Sequence, residues 1–289
     1  MVGCHRASQA KAPPAVHTGP VLKSAIVTGG ASGIGAALSA ELVRGGSSVI
    51  LVDIDGESAG QTADELSAIG PGRASGVRVD VRDADAVKSV VDQAVQASGC
   101  PDLMVNNAGI GIGGKTEDLD LAHWNRAIDV NLRGVIHGVH AVLPHMLAAG
   151  HGQIVNTASL GGLLPTALMA PYTATKHAVV GLTLSMRLEF ASRGIGFCVV
   201  CPGVVDTPLL DNRGPEDLRE VSSLPNVRRI AETMPEGVYP VRSLAKDIMR
   251  GLEQNEAIVV TPESAREAWQ GWRESPDKFM AAAVASAAP

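Results

Sequence analysis

Thr28-Gly29-Gly30-Ala31-Ser32-Gly33-Ile34-Gly35 is the stretch from which the fold can be read. It follows a short apolar run, residues 24–28, and leads into a segment with Ile34, Leu38 and Leu42 at helical spacing. A strand that breaks at glycines and restarts as a helix is a strand–turn–helix unit. Glycines let the chain turn tightly and approach a pyrophosphate, and the helix beyond offers free N–H groups and its positive end. The spacing is G-x3-G-x-G, through Gly29, Gly33 and Gly35. Glycines alone would make any turn; the strand before and the helix after make this one a phosphate cradle.

Working outward, apolar runs and helical segments alternate. The second strand, 48–52, stops at Asp53, and a polar helix covers about 57–69. The third strand, 76–79, stops at Asp80; helix 84–98 follows, then strand 103–105, which stops at Asn106-Asn107-Ala108-Gly109. A helical region covers about 120–149, which Pro144 should kink or shorten. Strand 154–156 stops near Ser159, helix 171–193 comes next, and strand 196–200 is cut off by Pro202-Gly203. Helix 243–254 and strand 257–260 close the pattern. The alternation predicts an α/β fold: a Rossmann-like doubly wound seven-stranded parallel sheet, order 3-2-1-4-5-6-7, with helices on both faces. Residues 1–20 read as a loose tail and 21–262 as one domain. Within it, 206–240 is a polar segment without a period, expected to act as a substrate lid. Residues 263–289 form a C-terminal extension, with Trp269 and Trp272 on one helical face and a frayed Ala-rich end.

Composition narrows the function. The chain has 289 residues, a net charge of −6 and 3% aromatics. That leaves neither a basic footprint nor stacking platforms for nucleic acid. No apolar run approaches the ~20 residues of a membrane span, and the first twenty lack the apolar core of a signal peptide. Cys198-Val199-Val200-Cys201 has the C-x-x-C spacing, but on a strand residues three apart face opposite ways. No metal site is expected, and reduced thiols suit a cytoplasmic protein.

The second informative stretch is Tyr172-Thr173-Ala174-Thr175-Lys176, with Ser159 thirteen residues ahead of the tyrosine. Positions i and i+4 share a helix face, which brings an ammonium to a phenol. A phenol with a pKa of about 10 is a poor base near neutrality, and a nearby cation lowers it. Asp53 ends the second strand, where a carboxylate accepts hydrogen bonds from a ribose diol and repels a 2′-phosphate. No Lys or Arg lies in the glycine turn or directly after Asp53, so NAD is expected rather than NADP.

Taken together, these motifs resemble the short-chain dehydrogenase/reductase family in its single-domain form, over about residues 22–262. The resemblance rests on 28–35, Asp80-Val81, 106–109, Asn131, Ser159, Tyr172-x3-Lys176 and Pro202-Gly203. It implies Tyr172 as acid/base, Lys176 as the group that lowers its pKa and holds the nicotinamide ribose, and Ser159 as partner of the substrate oxygen. Asn131 would order a water near Lys176. Gly29, Ser32, Gly33, Ile34, Gly35, Asp53, Asp80, Val81, Asn107, Ala108, Gly109, Pro202, Gly203, Val205 and Thr207 would line the cofactor site. In it, Asp80 would meet the adenine amine and Thr207 the carboxamide.

The apolar residues Ile110, Leu160, Met169 and Leu209, beside Ser159, predict a pocket for a secondary alcohol or ketone with a hydrocarbon body. Arg228 and Arg229 read as solvated lid residues, with a substrate carboxylate or phosphate as the alternative. His177 reads as a packing or interface residue. Two helices are apolar on more than one face, so one side can meet a partner subunit; the resemblance implies that they make the family's dimer interface and the last strand a second one, giving a homotetramer, with a homodimer as the alternative. Two other readings compete: a 3-oxoacyl-[acyl-carrier-protein] reductase using NADPH, against which Asp53 speaks, and a non-catalytic NAD(H) sensor, for which an intact proton relay is unnecessary.

Overall fold

A computed structural model describes residues 22–211, 217–221, 223, 226–232 and 237–287. The expected N-terminal tail, Cys4 and the lid residues Leu224 and Met234 lie outside the described residues. Seven strands form one parallel sheet, β1 (Ser24–Thr28), β2 (Ser48–Asp53), β3 (Arg73–Arg78), β4 (Leu103–Asn106), β5 (Gly152–Thr157), β6 (Ile195–Pro202) and β7 (Ile258–Thr261). Their order is β3-β2-β1-β4-β5-β6-β7, as the alternation predicts.

Strand side chains alternate between faces, so each strand feeds two cores. On one face Val27, Leu51, Val105 and Val200 meet Leu38 and Leu42 of α1 (Gly33–Arg44) and Leu244 and Ile248 of α8 (Val241–Glu253). On the other, Ile26, Met104, Ile154 and Phe197 meet Val87 and Val91 of α3 (Ala84–Ser98) and Val139, Val142 and Met146 of α5 (Gly134–Ala149). A third cluster joins Val179 and Val180 of α6 (Ala170–Phe190) to Val199, Cys201 and Val260. Cys198 packs in the first cluster and Cys201 in the third, on opposite faces, and burial pushes both thiols up to about 12.

Some boundaries differ from the sequence reading. The third strand starts at Arg73 and ends at Arg78, not 76–79; as an edge strand pairing only with β2, it carries few apolar residues to reveal it. Strand β6 runs on through Pro202, whose partner is Thr261. The 120–149 region is not broken at Pro144, which lies inside α5 between the buried Val142 and Met146. It is broken earlier: α4 (Leu121–Ile128) passes into a π turn, Asp129–Arg133, before α5 begins. Past the cis peptide Thr261–Pro262 come α9 (Glu263–Glu274) and α10 (Pro276–Ala287). The alanine-rich end is therefore helical through Ala287 rather than frayed, in keeping with alanine's helix propensity. Trp269 packs on the third cluster, whereas Trp272 meets Phe279 edge-on at 5.5 Å. Among the described residues no helix is long and apolar enough to cross a membrane.

Candidate active site

The turn after β1 is closed by glycines that nothing larger could replace. Gly29 has φ +62°, and a Cβ there would stand 2.9 Å from the Ala108 Cα. At Gly35 a Cβ would stand 2.1 Å from the Gly29 carbonyl oxygen, so α1 can approach the turn only without a side chain. Thr28 ties this turn to the one after β4. Its hydroxyl accepts from the N–H groups of Asn107 (2.9 Å) and Ala108 (3.1 Å), while Asn107 Nδ2 donates to the carbonyls of Thr28 and Gly29 at 3.1 and 3.2 Å. Residue identity alone gives Thr28 no role beyond its place in the glycine motif. Helix α1 has no acidic residue in its first turn and no side-chain cap from Ser32, which leaves its positive end open to an anion.

Asp53, at the end of β2, is held in place. Its carboxylate accepts from the N–H of Ala31 at 3.0 Å and of Asp55 at 3.2 Å. Asp80 is bound by Arg82, whose Nε lies 2.8 and 3.0 Å from its two oxygens, and this pair holds the Asp80 carboxyl below its usual range. Val81 is buried beneath α5, and His137 Nδ1 lies 2.8 Å from its carbonyl oxygen.

Four side chains converge at the carboxyl ends of β4 and β5. Ser159 lies just past β5 as the cap of a short 3-10 turn, Leu160–Gly162. Tyr172 and Lys176 lie one turn apart at the start of α6. A Cβ placed on Gly161 would be 3.6 Å from both the Ser159 hydroxyl and Tyr172 Cε1, so the serine and the phenol flank that glycine. The Lys176 ammonium is buried, donates to the Thr157 carbonyl at 2.9 Å, and lies 5.6 Å from the centroid of the Tyr172 ring. Asn131 is fully buried in the π turn. Its Oδ1 accepts from the Ile110 N–H (2.8 Å) and its Nδ2 donates to the Ile110 carbonyl (3.0 Å). Gly109 is where these elements meet: a Cβ there would be 3.3 Å from Asn131 Oδ1 and 3.4 Å from Lys176 Nζ.

The titration of the pair departs from the simple expectation that the lysine pulls the phenol down. Burial raises the Tyr172 phenol, and its hydrogen bond with Ser159 works the other way. Burial also lowers the Lys176 ammonium to about 8. Low dielectric favours the neutral form of each group, so burial opposes the charge pair that their proximity favours. Tyr172 itself is half-buried and keeps part of its contact with solvent.

Of the expected pocket residues, Ile110 is anchored by Asn131, Leu160 follows Ser159, and Met169 immediately precedes α6. Leu209 reaches across from the lid, 3.8 Å from the point a Gly111 Cβ would take. The segment expected to act as a lid is closed at its base: Asp206 N–H donates to the Tyr239 carbonyl (2.9 Å) and Tyr239 N–H to the Val204 carbonyl (2.8 Å). Farther along, Arg126 pairs with Asp217, His123 Nε2 lies 2.9 Å from the Arg219 carbonyl, and Ser223 donates to Asp118 at 2.6 Å. Val221 is buried, against Gly114. Arg228, 30% exposed, is engaged rather than free for a substrate, because it bridges Asp206 and Asp211. Pro202 and Gly203 end β6, and Val205 pairs with Tyr239. His177 is exposed, with Nδ1 2.9 Å from the Thr173 carbonyl. Among the described residues no cluster of three or more His, Cys, Asp or Glu is placed to hold a metal ion.

The chain is similar to known proteins. A family described as short chain dehydrogenase matches residues 23–218. A cyclohexanol dehydrogenase of Acinetobacter sp. (strain SE19) is 42% identical over 189 residues, 65% of this chain and 75% of that protein. A 3-alpha-(or 20-beta)-hydroxysteroid dehydrogenase of Mycobacterium bovis is 42% identical over 196 residues, 68% of this chain and 74% of that protein. Among solved structures, a short chain dehydrogenase/reductase from Burkholderia phymatum in complex with NAD superposes with a TM-score of 0.80 at 30% identity, over 87% of this chain and 93% of that one.

Proposed function

The chain belongs to the short-chain dehydrogenase family, and from that premise we propose that it interconverts an apolar, cyclic secondary alcohol and its ketone with NAD(H). The observation that carries this reading is a chain of contacts: Ser159 and Tyr172 flank Gly161, Lys176 lies 5.6 Å from the Tyr172 ring centroid, and Lys176 and Asn131 meet beside Gly109. The relatives' names add a second support, since cyclohexanol and hydroxysteroids are cyclic secondary alcohols.

The residues fit a dinucleotide. Gly29 and Gly35 let the turn, α1 and the loop after β4 pack closely enough to shape a cradle, and the uncapped first turn of α1 would face a pyrophosphate with N–H donors. Asp53 would take the adenosine ribose and Lys176 the nicotinamide ribose, the ammonium having three donors of which the Thr157 carbonyl takes one. Bound NAD would supply the redox chemistry. The protein's part is position and proton transfer. In oxidation the Tyr172 oxygen accepts the alcohol proton, and in reduction it returns one. The Ser159 hydroxyl donates to the substrate oxygen and holds it beside the phenol. Lys176 stabilises the phenolate. Beside the exposed Gly109, Lys176 and Asn131 frame a path by which the proton leaves to solvent.

Arg228 is held by Asp206 and Asp211 and so is not offered to a substrate acid. Leu188 and Ile136, 83% and 39% exposed on α6 and α5, are apolar surfaces available to a second copy in the proposed tetramer. The test is a panel of cyclic and open-chain alcohols with NAD, followed by absorbance of the reduced nicotinamide. Turnover of cyclic alcohols, lost in a folded Tyr172→Phe variant, is expected; full activity in that variant would overturn the assignment. Tighter binding of NADPH than NADH would overturn the cofactor and favour the acyl-carrier-protein reductase reading.

A further inference from the structure

Residues 206–211 cross the mouth of the proposed cofactor groove. Thr207 is buried, with its Cγ2 and Cβ 3.2 and 3.3 Å from the point that a Cβ on Gly33 would occupy. Two residues later, Leu209 reaches Gly111. One turn thus touches both walls, the glycine turn after β1 and the loop after β4. Carboxylates flank it, Asp206 before and Asp211 after, 60% and 58% exposed. Left alone, they would repel each other across the turn that carries Thr207.

A single side chain answers both. Arg228 lies in α7 (Val227–Glu232), a short helix of the lid segment. Its Nε donates to Asp211 Oδ1 at 2.6 Å and its Nη2 to Asp211 Oδ2 at 2.8 Å, the two-pronged geometry that only a guanidinium offers. Its Nη1 donates to Asp206 Oδ1 at 2.9 Å, and Nη2 also reaches the Thr207 carbonyl at 3.4 Å. The Asp211 carboxyl is held below its usual range by this contact. All four bonds converge on the segment that carries Thr207, and none is made to the sheet.

We propose that Arg228 is a positioning residue for the nicotinamide half of the dinucleotide, fixing Thr207 over Gly33 and cancelling the two flanking carboxylates. It acts through Thr207 and does not touch the cofactor. The proposal rests on the dinucleotide reading above.

The test uses the full chain, wild type and Arg228→Met, titrated with NADH by fluorescence and with ADP-ribose by calorimetry. ADP-ribose keeps the adenosine and both phosphates but lacks the nicotinamide. The expected result is NADH binding weakened about tenfold while ADP-ribose binding changes less than about twofold, the second titration also showing that the variant is folded. Unchanged NADH affinity overturns the proposal. So does an equal loss for both ligands, which would make Arg228 a general support of the fold. If wild type binds neither ligand, the dinucleotide reading itself falls, and that result is distinct from a variant that binds both as wild type does.

Discussion

Replacing Lys176 by methionine separates electrostatics from packing, because the two side chains are similar in length and only one is charged. The ammonium lies 5.6 Å from the Tyr172 ring centroid. With the ring centroid standing for the centre of the phenolate charge and an effective dielectric of about 20, the attraction is about 3 kcal/mol. Such an energy corresponds to about two pH units in the ionisation of the phenol. Both groups are packed against protein, and burial already lowers the ammonium to about 8 and raises the phenol, so the pair titrates as a unit. Oxidation needs that unit to have lost one proton. Its rate should therefore rise with pH in wild type. In Lys176→Met the phenol must ionise without help. The profile for kcat at saturating NAD should shift about two units alkaline, with the rate at neutral pH about 100-fold lower and recovering as pH rises. Reduction should show the opposite slope, falling with pH. A profile that drops uniformly with its midpoint unmoved would refute the reasoning and leave the lysine a binding role only.

Two further substitutions test the frame around that pair. Gly109→Ala places a methyl 3.3 Å from Asn131 Oδ1 and 3.4 Å from Lys176 Nζ, and should lower kcat about tenfold with NADH affinity retained; unchanged kcat would remove Gly109 from the proton path. Asn156→Leu breaks a buried ladder in which Asn106 donates to Asn156 at 2.8 Å and Asn156 to Thr183 at 2.9 Å. Asn106 Oδ1 already has no partner, so its whole amide is left unpaired, and denaturant unfolding should show a loss of about 3 kcal/mol. A change below about 1 kcal/mol would mean that the neighbouring side chains rearrange to satisfy it.

The sheet was legible because its strands are apolar runs that end at chemically distinctive residues. Asp53, Asn106, Ser159 and Pro202 each stand at or just past a carboxyl end. Gly29 and Gly35 were legible for the same local reason, since a glycine between strand and helix has few other uses. What the sequence hid was long-range or irregular. Strand β3 begins at Arg73 in a stretch with no apolar signature. The Thr157 carbonyl that fixes Lys176 is a backbone atom and leaves no mark on residue identity. Arg228 finds carboxylates 17 and 22 residues earlier, across a segment without a period. Arg82 is only two residues from Asp80, but an arginine and an aspartate that close in sequence can also face apart, so proximity alone does not mark the pair.

The π turn at 129–133 shows most clearly why irregular backbone matters here. Sequence reading placed the disturbance of that helix at Pro144, the residue with an evident steric cause. The disturbance lies instead at Asn131, which nothing in helix propensity marks as a breaker. Its amide grips both polar atoms of the Ile110 peptide, the residue next to Gly109. In a regular helix one residue fewer separates the same contacts, and each residue turns the side chain by about 100°. Regularising the turn would therefore rotate the Asn131 amide away from Ile110 or drag α5 off the sheet, where Val139 and Val142 are buried. The inserted residue lets α5 keep its core packing while α4 and Asn131 keep their register with the loop after β4. The distance between Gly109 and Lys176 is thus set by a helix irregularity on one side and by the Thr157 carbonyl on the other. That is why neither side chain's identity alone could have revealed it.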